Sequence, residues 1–173
     1  VFDYISDRMP GYYGDRGLSG DVVDAVLAAG GTIPADMDRR ILAVAAFREL
    51  EAAAALAAAN KRIRNILKKM PQGSEPDAIV DALLVDPAER RLAERIDAMR
   101  STIAPLLAAK DYAGVLNTLA GLRDDVDGFF DAVMVMDEDP ELRANRIAIL
   151  RALETLFLSV ADISHLQAQA ANP

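Results

Sequence analysis

The 173-residue sequence has no cysteine, no tryptophan and a single histidine, and aromatic residues make up only 5% of it. Without cysteine there is no disulfide and no thiolate metal site, and nothing argues for an oxidising compartment. His165 has neither a second histidine nor a cysteine with which to share a metal, so a ligand role is not expected. Long apolar runs are also missing. The longest, such as AAAALAAA at 52–59, fall well short of the ~20 residues that a membrane span needs. No signal peptide pattern is visible, and the reading is of a cytoplasmic protein. The sequence opens VFDYISDR, inside a helical pattern and without an initiator Met, which predicts a piece of a longer polypeptide. No stretch sustains the period-2 alternation of a strand, so the chain reads as all-α.

What is present suits one helical domain of roughly six to eight helices. Hydrophobic residues make up 52% of the chain, dominated by Ala and Leu, and a chain of this length can bury roughly 70% of its unfolded surface. Phe2, Ile5 and Met9 recur at helical spacing, and Pro10-Gly11 is expected to stop that helix, leaving GYYGDRG as a loop. Ser19 can cap a short helix that Gly30-Gly31 ends. Pro34 opens the next helix, and helical character then continues to Met70, with a break near residue 50. PQGSEPD, 71–77, reads as a loop between two helical halves. Beyond it the pattern predicts helices from Pro87 to about Ala109, Asp111 to Leu122, Asp124 to Val135, and Pro140 to about Ala161. Asp137, Glu138 and Asp139 suit the positive N-terminal end of the last helix.

Catalytic and metal motifs are not found. GYYGDRG spaces its glycines G-x-x-G-x-x-G, which is not a dinucleotide fingerprint. RDDVDGFFDAVM, 123–134, matches a calcium loop at Asp125, Asp127 and Gly128 but has Arg123 and Met134 where acidic ligands are required. No nucleophile–base spacing is legible.

The chain carries 27 acidic and 19 Lys or Arg residues, a net charge of -8, yet AANKRIRNILKKM at 58–70 holds five basic side chains within nine positions and no acidic one. At ~100° per residue, Lys61, Arg64, Asn65, Lys68 and Lys69 share half of the helix circumference, with Arg62 at its edge and Ile63, Ile66, Leu67 and Met70 opposite. Like charges without acidic partners repel one another. A polyanion such as nucleic acid would relieve that repulsion. A solvated face is the plainer account, and the helix dipole by itself favours Lys68 and Lys69 near a C-terminus. A second group, Arg143, Asn145 and Arg146 in RANR, sits in the first turns of the last helix, against the dipole. It either pairs with Asp137 to Asp139 or makes a second phosphate or base contact. Tyr12, Tyr13 and Phe47 are candidate stacking residues that read more simply as packing.

LAAANKRIRNILKK at 56–69, FFDAVMVMDEDPELRANRIAILRALETLFLSVADISHLQ at 129–167 and DRGLSGDVVDAVLA at 15–28 resemble the C-terminal region of the β subunit of bacterial glycyl-tRNA synthetase. The resemblance implies an all-α, DALR-type anticodon-binding domain related to that of arginyl-tRNA synthetase. It also implies a tRNA-Gly partner, a separate α subunit that activates glycine with ATP in an α2β2 assembly, and no catalysis within this segment. Matching the family pattern, Asn60, Lys61, Arg62, Arg64, Asn65, Arg143, Asn145 and Arg146 are expected to meet tRNA, and Lys68 and Lys69 join them from the basic helix face. A non-enzymatic helical module that docks an acidic protein on the same basic helix is the competing expectation.

Overall fold

A computed structural model describes residues 2–30, 34–71 and 78–167. Among them lie eight α-helices: α1 Phe2–Gly14, α2 Gly20–Ala28, α3 Pro34–Arg48, α4 Glu51–Leu67, α5 Pro87–Ala108, α6 Tyr112–Leu119, α7 Arg123–Ala132 and α8 Pro140–Leu158. Three 3-10 turns, Asp81–Leu83, Ala120–Leu122 and Ile163–His165, complete the regular structure, and these residues contain no strand. The all-α expectation holds. Residues 72–77 of the predicted loop lie outside the described residues.

Several helix boundaries follow local chemistry. Asp86 and Glu89 form a capping box around the start of α5, with Pro87 at the first helical position. Asp139 Oδ1 accepts the N–H of Glu141 at 2.8 Å and of Leu142 at 3.3 Å, and Pro140 follows it into α8. Gly30 ends the second helix in the left-handed region, at φ 84°, and returns its N–H to Leu27 O at 3.0 Å.

Three expectations need correction. The first helix passes through Pro10 and ends at Gly14, so GYYG is helical rather than a loop. The bond lost at Pro10 is outweighed by packing, because Met9 and Tyr13 are buried and the Tyr13 hydroxyl donates to Asp38 Oδ1 at 3.0 Å. Ser19 does stand at the N-cap of α2, but its hydroxyl makes no cap bond and instead accepts from Arg48. Finally, α7 stops at Ala132. Val133 is extended, at φ -112° and ψ 126°, with Val133 and Val135 buried and Met134 and Met136 exposed. VMVM is a local period-2 pattern that the helical reading absorbed.

Nearly all the buried apolar side chains among the described residues form one cluster, from Met9 in α1 to Ile163 in the last turn. In α8, every residue from Asn145 to Leu150 is buried, together with Leu153, Leu156 and Phe157, so through its middle turns this helix is enclosed on nearly every side. Glu51 meets Arg123 at 3.1 Å and Arg62 lies over Phe130, which sets α4 and α7 side by side in the same direction. Helix α8 runs back along α4, since Arg64 meets Glu154 while Arg151 stands beside Lys68. The end of α4, the start of α5, the end of α7 and the start of α8 therefore share one end of the bundle.

Candidate nucleic-acid interface

Helix α4 buries Ala53, Leu56, Ala57, Ala59, Asn60 and Ile63. Its outer side carries Lys61, Arg62, Asn65 and, in the turn that follows, Lys68 and Lys69, all exposed. Among the described residues Lys61, Arg62, Lys68 and Lys69 form no ion pair. The predicted basic face is there, but two of its members are not simply solvated. Arg62 and Arg64, ~160° apart around the axis, mark its two edges, and each is held by a neighbouring helix or turn.

At one edge Arg64 pairs through Nη1 with Asp162 and stands 3.9 Å from Glu154 Oε1. Asp162 is buried. Its Oδ1 accepts the Ser164 hydroxyl at 2.6 Å and the Ser164 N–H at 3.2 Å, while its own N–H reaches Ala25 O at 2.8 Å. Burial raises the Glu154 pKa, and the Arg64 charge offsets that only in part. Arg64 thus has an acidic partner, supplied by the chain 98 residues away rather than by the helix, and it ties α4 to the last turn. At the other edge the Arg62 guanidinium carbon lies 4.3 Å from the Phe130 ring centroid.

Asn60 is 3% exposed, and its Nδ2 donates to Leu56 O at 2.9 Å. It belongs to the inner stripe Leu56, Asn60, Ile63, whose spacing in the sequence already gave its side. In the RANR group Asn145 and Arg146 are likewise buried, and Arg143 is half-buried. Arg143 donates to Asp137 O at 2.8 Å. Asn145 clasps the Val80 backbone, with Oδ1 accepting its N–H at 2.7 Å and Nδ2 donating to its carbonyl at 3.1 Å. Arg146 reaches Met134 O at 2.8 Å, Asp137 Oδ2 at 2.7 Å and the buried Glu89. Burial alone would lower its pKa, but the bonds from Glu89 and Asp137 outweigh that and raise it. Asp137 is held below the ordinary carboxylate range, first by the Asp139 N–H and then by Arg146. Of the two readings of RANR, the pairing with Asp137 is the one the geometry displays. Glu89, in a capping box, gave no sign in the sequence of being the second partner.

Tyr13 and Phe47 are buried, whereas Tyr12 is exposed, with Arg16 over its ring at 4.7 Å. Two side chains that sequence reasoning passed over adjoin the face. One is Phe130. The other is Arg151, which helps to line a cleft of about 370 Å³ with Lys68, Met70 and Glu154. Among the described residues no group of three or more His, Asp or Glu side chains could hold a metal, and no helix is long and apolar enough to cross a membrane.

The model of the DALR anticodon binding domain matches residues 56–166, from the middle of α4 to the last 3-10 turn. The chain belongs to the DALR anticodon-binding family. Its DALR region includes every basic residue of the α4 face, the Arg64–Asp162 pair and the whole RANR group. Similar proteins extend over nearly the full chain. The glycine–tRNA ligase beta subunits of Aeromonas hydrophila and of Haemophilus influenzae strain 86-028NP are each 52% identical over 167 residues. That of Shewanella amazonensis is 53% identical over the same length. Each alignment covers 96% of this chain, which spans about a quarter of the length of these curated relatives. The DALR match leaves α1 to α3 outside it, and the relatives include them.

Proposed function

We propose that this chain binds the anticodon arm of tRNA-Gly as the anticodon-reading part of a glycine–tRNA ligase β subunit. The observation that carries the reading is the α4 face, where four cations without a carboxylate partner are gathered in a chain of net charge -8. Its membership of the DALR family and the names of its relatives supply the ligand class. Exposed charges more than about 8 Å apart are largely screened at physiological salt, so the acidic remainder does not cancel a local basic site.

Lys61, Lys68 and Lys69 bind phosphates, Asn65 offers an amide to base edges, and Arg62 serves either purpose. Arg64 contributes its charge from the edge while holding Asp162. Asn60, Arg143, Asn145 and Arg146 support the interface from within and touch no nucleotide. Single-stranded loops are read by stacking and by bonds to splayed base edges, which requires a rigid surface rather than a reactive one. No chemistry is assigned to this segment. Activation of glycine with ATP falls to a separate α subunit in an α2β2 assembly in the cytoplasm. Holding the anticodon arm places the acceptor end at that remote centre.

Binding of the chain to the anticodon stem–loop of tRNA-Gly, beside the same hairpin with altered anticodon bases, tests this. Tighter binding to the native loop is expected. Equal binding to both would reduce α4 to a backbone clamp, and binding to neither, with an acidic protein captured instead, would favour the docking module.

A further inference from the structure

Arg62 is the one cation of the α4 face whose guanidinium lies over an aromatic ring, 4.3 Å from the centroid of Phe130 on α7. Phe130 is half-buried and meets the buried Phe129 edge-to-face, with centroids 5.5 Å apart and planes at 74°. Asp127 and Asp131 flank Phe130 along α7, yet Arg62 pairs with neither; Asp127 lies instead 3.9 Å from Arg123. A guanidinium over a ring near the surface gains about 0.5–1 kcal/mol, as much as an exposed ion pair would supply. Arg62 is exposed, and no hydrogen bond or ion pair among the described residues commits its donors.

We propose that Arg62, held over Phe130, is a shelf on which one unpaired RNA base stacks. The proposal rests on the RNA-binding reading above and adds to it a position and a mode. Unstacked bases in RNA loops are taken up on aromatic rings and on arginine planes, and the Phe130–Arg62 pile offers the second supported by the first. Lys69 lies on the same side of α4, about 10 Å further along, where it meets the backbone of the strand that carries the stacked base. Such a shelf distinguishes a looped-out base from a paired one without selecting which base it is, because every base has a π-face.

The test uses the whole 173-residue chain and the anticodon hairpin of tRNA-Gly with each loop nucleotide in turn made abasic, read by fluorescence anisotropy at fixed salt. Removal of one particular base should weaken binding by about tenfold or more, the effect of losing a single stacking partner. Arg62→Lys keeps the charge and removes the plane. It should weaken binding to the intact hairpin by the same factor, lose sensitivity to that one abasic position and leave the salt slope unchanged. Phe130→Leu, which preserves apolar bulk, should show the same loss of sensitivity, with circular dichroism confirming that both variants are folded. Arg62→Lys binding as tightly as the parent, with every abasic effect intact, would overturn the shelf while RNA binding stands. Failure of the unaltered chain to bind any hairpin would overturn both.

Discussion

Arg146 of α8 donates to Glu89 of α5 inside the bundle, where the two side chains are 8% and 0% exposed. Glu89 also accepts the N–H groups of Val85, at 2.8 Å, and Asp86, at 3.1 Å, so one carboxylate closes the capping box of α5 and anchors α8. Arg146 in turn holds Met134 O and Asp137. Removing the cation leaves a buried charge without a counterion, which costs about 3–5 kcal/mol. Arg146→Ala should therefore lower Tm by roughly 6–20 °C for a chain of this size. Adding Glu89→Gln should recover part of the loss, because a neutral amide still accepts the two backbone bonds. No recovery in thermal melts of the double variant would mean that the shape of Arg146, rather than its charge, is what α8 requires.

The basic face and the inner network should separate cleanly on substitution. Lys68→Ala with Lys69→Ala removes two exposed cations that no carboxylate holds. RNA affinity should fall, and the slope of log K against log salt should flatten by about 1.4 if each lysine meets one single-strand phosphate. Tm should barely move. Arg64→Ala is predicted to act differently, since it strips a partner from the buried Asp162. With Arg64 itself one-third exposed, a loss of about 1–2 kcal/mol is expected. Paired salt titrations and melts of the two variants check both halves, and an unchanged slope for the lysine pair would take Lys68 and Lys69 out of the interface.

Much of this was legible in the sequence, for reasons that also explain what was not. Local signals were read correctly: Asp139-Pro140 at the start of α8, the break near residue 50, and the division of α4 into a basic and an apolar side are all set within a few turns of chain. Asn60 was readable too, because it continues the spacing of Leu56 and Ile63, but its amide suggested a ligand and masked its position in the stripe. The partners of Arg64 and Arg146 are 98 and 57 residues away, and no periodicity reports a pairing over such a distance. Helix α8 is buried on nearly every side, so polar residues that would face water on an amphipathic helix become internal braces. Pro10 shows the same point, since local propensity predicted an end where tertiary packing around Tyr13 prolongs the helix.

Asn145 fixes the approach to the 3-10 turn ahead of α5 through two bonds to a single residue, Val80. Asn145→Asp keeps the acceptor for the Val80 N–H but sets a carboxylate against the Val80 carbonyl, where the amide had donated. The buried repulsion and lost bond should cost about 1–3 kcal/mol. Amide exchange at Val80 and through Asp81–Leu83 should speed up, while exchange in α2 and α3 stays as it was. Uniform protection across the chain in the variant would show that this clasp is dispensable.

Tyr13 gives a pH dependence with a definite sign. Burial, then the bond to Asp38, pushes its pKa up from 10.0 to about 12. A phenol that holds its proton more tightly in the folded chain stabilises the fold fully below pH 10. Between pH 10 and 12 the unfolded chain has lost this proton and the folded chain has not, so the stabilisation drains away as pH rises. It amounts to on the order of 3 kcal/mol in all, at about 1.4 kcal/mol per pH unit. Tyr13→Phe should be less stable at neutral pH through loss of the Asp38 bond, and its urea midpoint should fall less steeply from pH 10 to 11. Tyr112, whose pKa is also raised, titrates in both proteins and cancels in the comparison. Parallel curves for parent and variant across that interval would place the Tyr13 proton outside the linkage and leave its hydroxyl no role beyond a neutral hydrogen bond.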